Sequence, residues 1–154
     1  PKRDKTAHHL HALGVRRVRC RHPASTLSDE GNQASDDHKY ARVLYNRCVK
    51  PVRPQLHSTV SYVIKRKGDV FTTPAERADP SKYNTYTNDG LPPGPIGSPG
   101  EKTIEAALNP AQGSWLYFVA INLDTGETIF SDTFAEHQRA VAKLTAYCKT
   151  SSAC

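Results

Sequence analysis

The stretch SKYNTYTNDGLPPGPIGSPG, residues 81–100, decides how the chain is read. Pro92, Pro93, Pro95 and Pro99 are interspersed with Gly90, Gly94, Gly97 and Gly100, and no apolar run here is long enough for a strand. Proline fixes φ and removes a backbone donor, while glycine opens positive φ, so a regular element is excluded. The expectation is a long, stiff, well-determined loop, and such loops on a rigid scaffold carry binding surfaces. Tyr83, Asn84, Tyr86 and Asn88 enter it, a set suited to stacking on and hydrogen bonding a polar, ring-bearing ligand. Composition alone leaves an inert proline-rich linker equally open.

Downstream of the loop, Ser98-Pro99-Gly100-Glu101 reads as a capping box with proline at the first helical position. It predicts a helix bearing Ile104, Ala107 and Leu108, stopped by Asn109-Pro110. Trp115 to Ile121 (WLYFVAI) is the strongest strand signal, and Asp124-Thr-Gly126 turns it back into Thr128-Ile-Phe130 as a hairpin. Thr133 and Glu136 form a second capping box, opening a last helix with Phe134, Val141, Leu144 and Tyr147 or Cys148 on its apolar side. His137 lies in its first turn, where it either packs and caps or faces a cleft.

Upstream, Pro23 at a helix start and Gly31 just past its end bound a short helix. Glu30 falls in its last turn, where the negative end of the dipole and neighbouring Asp29 should raise its pKa. A carboxyl kept protonated near neutrality suits a general acid; an ordinary exposed glutamate is the alternative. Asp36 or Asp37 caps the next helix, with Tyr40, Val43, Leu44 and Cys48 at helical spacing and Asn46 and Arg47 at its edge. Asn46 is then a structural hydrogen-bonder or a site residue. Pro51 and Pro54 end that helix, Gln55 and His57 follow in an extended piece, and Ser58 opens a helix to Gly68. Tyr62 lies opposite the apolar stripe of Val60, Val63 and Ile64, facing a cleft or solvent. Residues 69–80 read as a loop with a helical turn around Pro74 to Arg77.

At 154 residues the chain is one domain in size and long enough to bury a core. Its net charge of +6 is concentrated at one end, because residues 1–22 carry seven Lys and Arg against Asp4 alone. The remaining residues hold fourteen basic and fourteen acidic side chains. The basicity belongs to an arm, so it says little about what the folded part binds. Nucleic-acid binding through that arm ranks last, since it has no interleaved aromatics. His8, His9 and His11 have no supporting carboxylate or cysteine and read as solvated. No apolar run approaches a membrane span and no secretory signal follows the basic residues. Cys20, Cys48, Cys148 and Cys154 show no zinc-ligand spacing and allow three pairings, a Cys148–Cys154 link among them. There is no phosphate loop, no HExxH, no GxSxG and no close carboxylate pair. An enzyme built here would use one carboxyl group as acid and base.

These residues resemble one family. YNTYxxxGLPPGPIxxPG (Tyr83 to Gly100), AALNPA (Ala106 to Ala111), LYFVA (Leu116 to Ala120), Phe130 and the pair Glu136-His137 are similar to the YceG-like, or MltG-type, endolytic murein transglycosylases. ASxxxxEG (Ala24 to Gly31), ARVLYNR (Ala41 to Arg47) and QxxSTVxY (Gln55 to Tyr62) follow the same family's order. The resemblance implies an α+β domain, helices around a small antiparallel sheet, over residues 23–148, after a basic arm at 1–22 and before a tail at 149–154. It implies cleavage of the β-1,4 bond between N-acetylmuramic acid and N-acetylglucosamine of peptidoglycan, without water, leaving a 1,6-anhydro ring. One glutamate does this work, unlike a two-carboxylate hydrolase.

The family's glutamate falls at Glu30, and Asn46, Gln55, Tyr62, Tyr83, Asn84 and Tyr86 are the implied glycan contacts. No metal or organic cofactor is implied. The partners are peptidoglycan glycan strands and the cell-wall synthesis machinery, with no nucleic acid. The place is the extracytoplasmic face of the cell membrane, reached through an N-terminal anchor not in this chain. Ser28 and His57 stand where the family carries acidic residues, RRVRCRH precedes the Glu30 helix instead of an apolar run, and a LysM-like domain is absent. The expectation is a truncated catalytic portion whose first twenty-odd residues are foreign to the fold, or else a peptidoglycan-binding remnant with impaired catalysis.

Overall fold

A computed structural model describes residues 23–30, 36–50, 52–66 and 71–154, without the side chains of Pro23, Ser28, Asp29 and Glu30. The elements are α1 (Pro23–Glu30), α2 (Asp37–Val49), α3 (His57–Ile64), α4 (Pro74–Arg77), α5 (Glu101–Leu108), β1 (Tyr117–Ala120), β2 (Thr128–Ser131) and α6 (Phe134–Cys148). The class is α+β, as the sequence indicates. The charged stretch at 1–22, with its histidines and Cys20, lies outside the described residues.

Helix α2 is the centre of the packing. It carries Tyr40, Ala41, Leu44 and Tyr45 into one cluster with Leu27 of α1, Leu56 and Ala107 of α5. Of the residues read at helical spacing, Tyr40 and Leu44 lie in this cluster and Val43 is buried outside it, while Cys48 is only half-buried. Tyr40 stands edge-on to Phe118 at 4.8 Å and to Phe130 at 5.2 Å, and its hydroxyl meets Thr128 Oγ1 at 3.0 Å. Such edge-to-face pairs stabilise beyond their buried area by about 0.5–1.5 kcal/mol. The Tyr45 hydroxyl donates to the Ala107 carbonyl at 2.6 Å, joining α2 to the last turn of α5. On the opposite face of the hairpin α6 covers Tyr117, whose ring stacks on His137 at 5.2 Å.

Local signals were translated unevenly. The Thr133–Glu136 box forms as read: Thr133 Oγ1 accepts from the Glu136 N–H at 3.3 Å and the Glu136 carboxylate accepts from the Thr133 N–H at 3.0 Å. A second box, Thr73 with Glu76, opens α4 in the same way. The expected box at Ser98 does not form, and α5 begins at Glu101 with Gly100 as its uncapped flank. Gly100 has ψ 170°, an extended conformation, so a cap placed at Ser98 would have no helical turn to close. Asp36 flanks α2 but spends its carboxylate on Lys39 Nζ at 2.9 Å instead of capping. Helix α3 starts at His57, one residue before the expected Ser58.

The hairpin pairs Tyr117 with Ser131, Phe118 with Phe130, Val119 with Ile129 and Ala120 with Thr128. It is shorter than the apolar run because α2 claims the residues before it. Asn46 Nδ2 donates to the Gly113 carbonyl at 3.2 Å and to the Trp115 carbonyl at 2.9 Å, and Arg47 Nε donates to the Leu116 carbonyl. The turn closes on Asn122, whose side-chain oxygen accepts from the N–H groups of Asp124 and Thr125, both at 3.0 Å. Gly126 takes φ 73°, which a side chain would resist. Cys148 and Cys154 are disulfide-linked with Cα atoms 5.4 Å apart, tying the last residues to the end of α6.

Arg47 is 6% exposed and its guanidinium also donates to the carbonyls of Arg53 at 2.7 Å and Pro54 at 2.8 Å. Replacing it with methionine keeps the stem but orphans three carbonyls. The expected loss is about 3 kcal/mol of unfolding free energy by urea titration. Arg47→Lys should not restore it, because one ammonium cannot span the same fork.

Candidate active site

The loop at 81–100 is held against α3 by a small polar core. Thr59 and Thr85, both buried, share a hydroxyl–hydroxyl bond of 2.9 Å, and Thr85 Oγ1 accepts from the Leu56 N–H at 2.9 Å. Asn84 is fully buried beside them. Its Nδ2 donates to the carbonyls of Arg77 at 3.1 Å and Asp79 at 2.7 Å, and its Oδ1 accepts from the Tyr86 N–H at 2.9 Å. Asn88 closes the next turn by donating to the Ser81 carbonyl at 2.8 Å and the Asn84 carbonyl at 3.0 Å. The asparagines supply in side chains the hydrogen bonds that prolines and turns deny the backbone. The segment is thus a determined loop and not a slack linker.

This scaffold sets out a row of rings. Tyr62 of α3 is 44% exposed, and its ring lies 5.1 Å from that of Tyr83. Gly94 passes beneath Tyr83 so closely that a Cβ there would lie 2.9 Å from the phenol oxygen. Further along, Tyr86 stacks on His57 at 6.0 Å and 10°, with the Arg77 guanidinium 5.8 Å from the Tyr86 ring centre. Burial lowers the pKa of His57, and the charge of Arg77 lowers it further. The imidazole is therefore held in its neutral, hydrogen-bonding form. Gln55 is exposed and adopts φ 55°, a left-handed conformation costly for a residue with a side chain. Its N–H bonds the Thr85 carbonyl at 3.2 Å and its Oε1 accepts from Arg47 at 3.3 Å, so both contacts hold it there.

Of the sequence-predicted residues, Tyr62 meets Tyr83 and Tyr86 meets His57, two pairs between α3 and the loop, and the Gln55 N–H bonds Thr85 of the loop. Asn84 lies beneath them and spends its amide inside the protein. Asn46 bonds the segment leading into β1, the structural alternative that the sequence had left open. Glu30 is the last residue of α1, and its side chain lies outside the described residues. The loop nevertheless reaches that helix: the Ile96 N–H donates to Ser25 Oγ at 3.4 Å, and Leu91 packs on the cluster that includes Leu27. Residues not singled out from sequence are Arg77 and the Thr59–Thr85 pair. Only the STV run hinted at the latter, since side-chain pairing across twenty-six residues has no local signature. Among the described residues no group of His, Cys, Asp or Glu could hold a metal ion, and no helix is long and apolar enough to cross a membrane.

The sequence profile of the YceG-like family matches residues 4–143, and the chain belongs to that family. It is 41% identical over 121 residues to an endolytic murein transglycosylase of Bacillus subtilis, covering 78% of this chain and 32% of that protein. It is 32% identical over 124 residues to the endolytic murein transglycosylase of Streptococcus pneumoniae, covering 78% of this chain and 22% of that one. The fold matches a crystal structure of a yceG-like protein from Listeria monocytogenes with a TM-score of 0.74 and 36% identity, over 88% of this chain and 43% of the other. The chain thus spans a third or less of the curated relatives.

Two measurements test this geometry. Asn84→Ala orphans the Arg77 carbonyl and the Tyr86 N–H, leaving the Asp79 carbonyl to the Thr87 hydroxyl, and should cost about 2 kcal/mol of stability while releasing the Tyr86 ring from His57. A His57 pKa below the free value means that the unfolded chain binds its proton first. Stability should therefore be full above about pH 7 and fall as pH drops through about 6.5 and below. His57→Gln should flatten that part of the urea-midpoint profile.

Proposed function

We propose that this chain is the catalytic part of an endolytic murein transglycosylase, with residues 23–148 as its domain, 1–22 as a basic arm and 149–154 as a tail. The reaction is cleavage of the β-1,4 bond between N-acetylmuramic acid and N-acetylglucosamine in a glycan strand. The observation that carries this reading is the seating of the proline-rich loop on α1, the helix that ends at Glu30, in a chain of the YceG-like family. Rings and amides on one wall and a carboxyl at a helix end are the parts such chemistry requires.

In this reading Glu30 donates its proton to the glycosidic oxygen as the bond to C1 breaks. The resulting carboxylate takes the proton of the C6 hydroxyl as that oxygen closes on C1, giving the 1,6-anhydro product and restoring the acid. No water is consumed. A carboxyl at a helix C-terminus is disfavoured as an anion, which suits it to the first step. Tyr62 and Tyr83 offer flat faces to sugar rings, and Gln55 and Tyr86 offer polar atoms at the wall. Asn84 and Asn46 act from behind, holding the loop and the hairpin segment. The substrate places the working protein at the extracytoplasmic face of the cell membrane, beside the cell-wall synthesis machinery.

A second reading, glycan binding without cleavage, is favoured by one observation. His57 is fixed in a stack with Tyr86 where the family pattern carries a carboxylate. Both readings meet the same experiment. Incubation with purified sacculi and mass spectrometry should find anhydro-muropeptides with the native chain. With Glu30→Gln, a nearly isosteric change, release should fall by at least about a thousandfold while the circular dichroism spectrum is retained. Sacculus binding with no product from the native chain would establish the second reading instead.

A further inference from the structure

Two side chains brace the ring of Tyr86, and one of them can change its charge near neutral pH. The backbone around the ring is fixed: the Tyr86 N–H donates to Asn84 Oδ1 at 2.9 Å, and its carbonyl accepts from Arg53 Nη1 at 3.2 Å. Those bonds set the Cα but leave the side-chain torsion open. The ring itself is met by the His57 imidazole, 6.0 Å away at an interplanar angle of 10°, and by the Arg77 guanidinium at 5.8 Å. Arg77 is anchored in turn. Its Nη1 donates to the carbonyl and to the hydroxyl of Thr72, which is buried, and its own carbonyl accepts from Asn84 Nδ2. One residue earlier, Glu76 pairs with Arg66 beyond the end of α3. Helix α4 is thus fastened to α3 and to the loop, and its guanidinium is a fixed brace.

The groups around His57 decide what a proton there does. From α4 it faces the Arg77 cation, and from the loop the Tyr86 phenol. Helix α1 also packs on α3 but brings no charged side chain among the described residues, and α3 itself carries none. No described carboxylate therefore answers a charge on this imidazole. A neutral ring stacks there without penalty, whereas an imidazolium would be half-buried beside a guanidinium that already attends the same phenol. The charged ring does better in water, and its departure removes one support from Tyr86. We propose that His57 and Arg77 are positioning residues for glycan recognition: together they hold the Tyr86 phenol at the wall, and a proton on His57 releases it. This rests on the loop being a glycan wall. A second Arg–Tyr–His group, Arg47 with Tyr117 and His137, joins the hairpin to α6 and provides an internal comparison, since it has the same parts but no ring on the loop.

The test uses the full chain and chitohexaose, a β-1,4 oligomer of N-acetylglucosamine that stays neutral at every pH used. With 13C-labelled tyrosine and histidine rings, the Tyr86 signals should follow the same titration curve as those of His57. Chitohexaose should bind about tenfold more weakly at about pH 5 than at about pH 7.5, the weight of one ring contact. His57→Gln should abolish this acid limb, and His137→Gln should leave it in place. Arg77→Gln should move the midpoint of the limb to higher pH, because His57 takes up its proton more readily once the neighbouring cation is gone. A merely structural arginine would lower stability without moving that midpoint. The proposal is overturned by Tyr86 signals that ignore His57, by a limb that survives in His57→Gln or vanishes in His137→Gln, by an unmoved midpoint in Arg77→Gln, or by no chitohexaose binding at all. Glu30-dependent anhydro products from sacculi with no His57-dependent limb sink the positioning role alone. A His57-dependent limb with no product from sacculi sinks the catalytic reading and leaves the positioning role standing.

Discussion

A single buried guanidinium fixes how the two halves of this molecule meet. Arg47 projects from the last turn of α2 and reaches the approach to β1 at Leu116, the chain leaving α2 at Arg53 and Pro54, and the side chain of Gln55. Its planar face lies 4.8 Å from the centre of the Tyr117 ring, which α6 covers from the other side. Burying a charge without partners would cost several kcal/mol, so each carbonyl it faces is a constraint on where the chain can pass. The hairpin, the turn into α3 and the seat of α6 are thereby referred to one point. A hydrophobic residue could fill the volume but could not dictate those directions.

From that point the candidate site is assembled by side chains standing in for backbone pairing. The proline-rich loop cannot join a sheet or a helix, yet Asn84, Asn88, Thr85 and Thr59 give its peptide groups partners. The result is a rigid wall with little regular structure. Rigidity matters for recognition because rings already in place lose no further freedom when a ligand arrives. The left-handed Gln55 shows the same economy: its backbone strain is held by two contacts that also set the position of the wall.

The architecture was largely legible. Helical spacing in Tyr40, Val43 and Leu44 marked the buried face, though Cys48, read with them, is only half-buried; Thr133 with Glu136 marked the start of α6, and DTG marked the hairpin turn, because each is decided by neighbours within four residues. What failed to show was decided at a distance. The apolar run from Trp115 reads as strand, but α2 takes its first two carbonyls. Ser98 has the chemistry of a cap, but Gly100 is extended. Tyrosines and asparagines in the loop looked alike as ligand groups; the fold separates them, leaving Tyr62, Tyr83 and Tyr86 at the wall and drawing Asn84 beneath it. Of the Glu30 reading the structure carries only the helix end, since its side chain lies outside the described residues.

The fit of Tyr83 over Gly94 carries a consequence for how such sequences can drift. The two residues are eleven positions apart, yet a single methyl at 94 would press on the phenol oxygen and tilt the ring away from Tyr62. Substitution at 94 is therefore not a local event: it is transmitted to helix α3 through a side chain. The pair should vary together across lineages, with bulk at one position accompanied by its loss at the other. A lineage that abandoned Tyr83 would be free to lose the glycine, and one that kept the tyrosine would not.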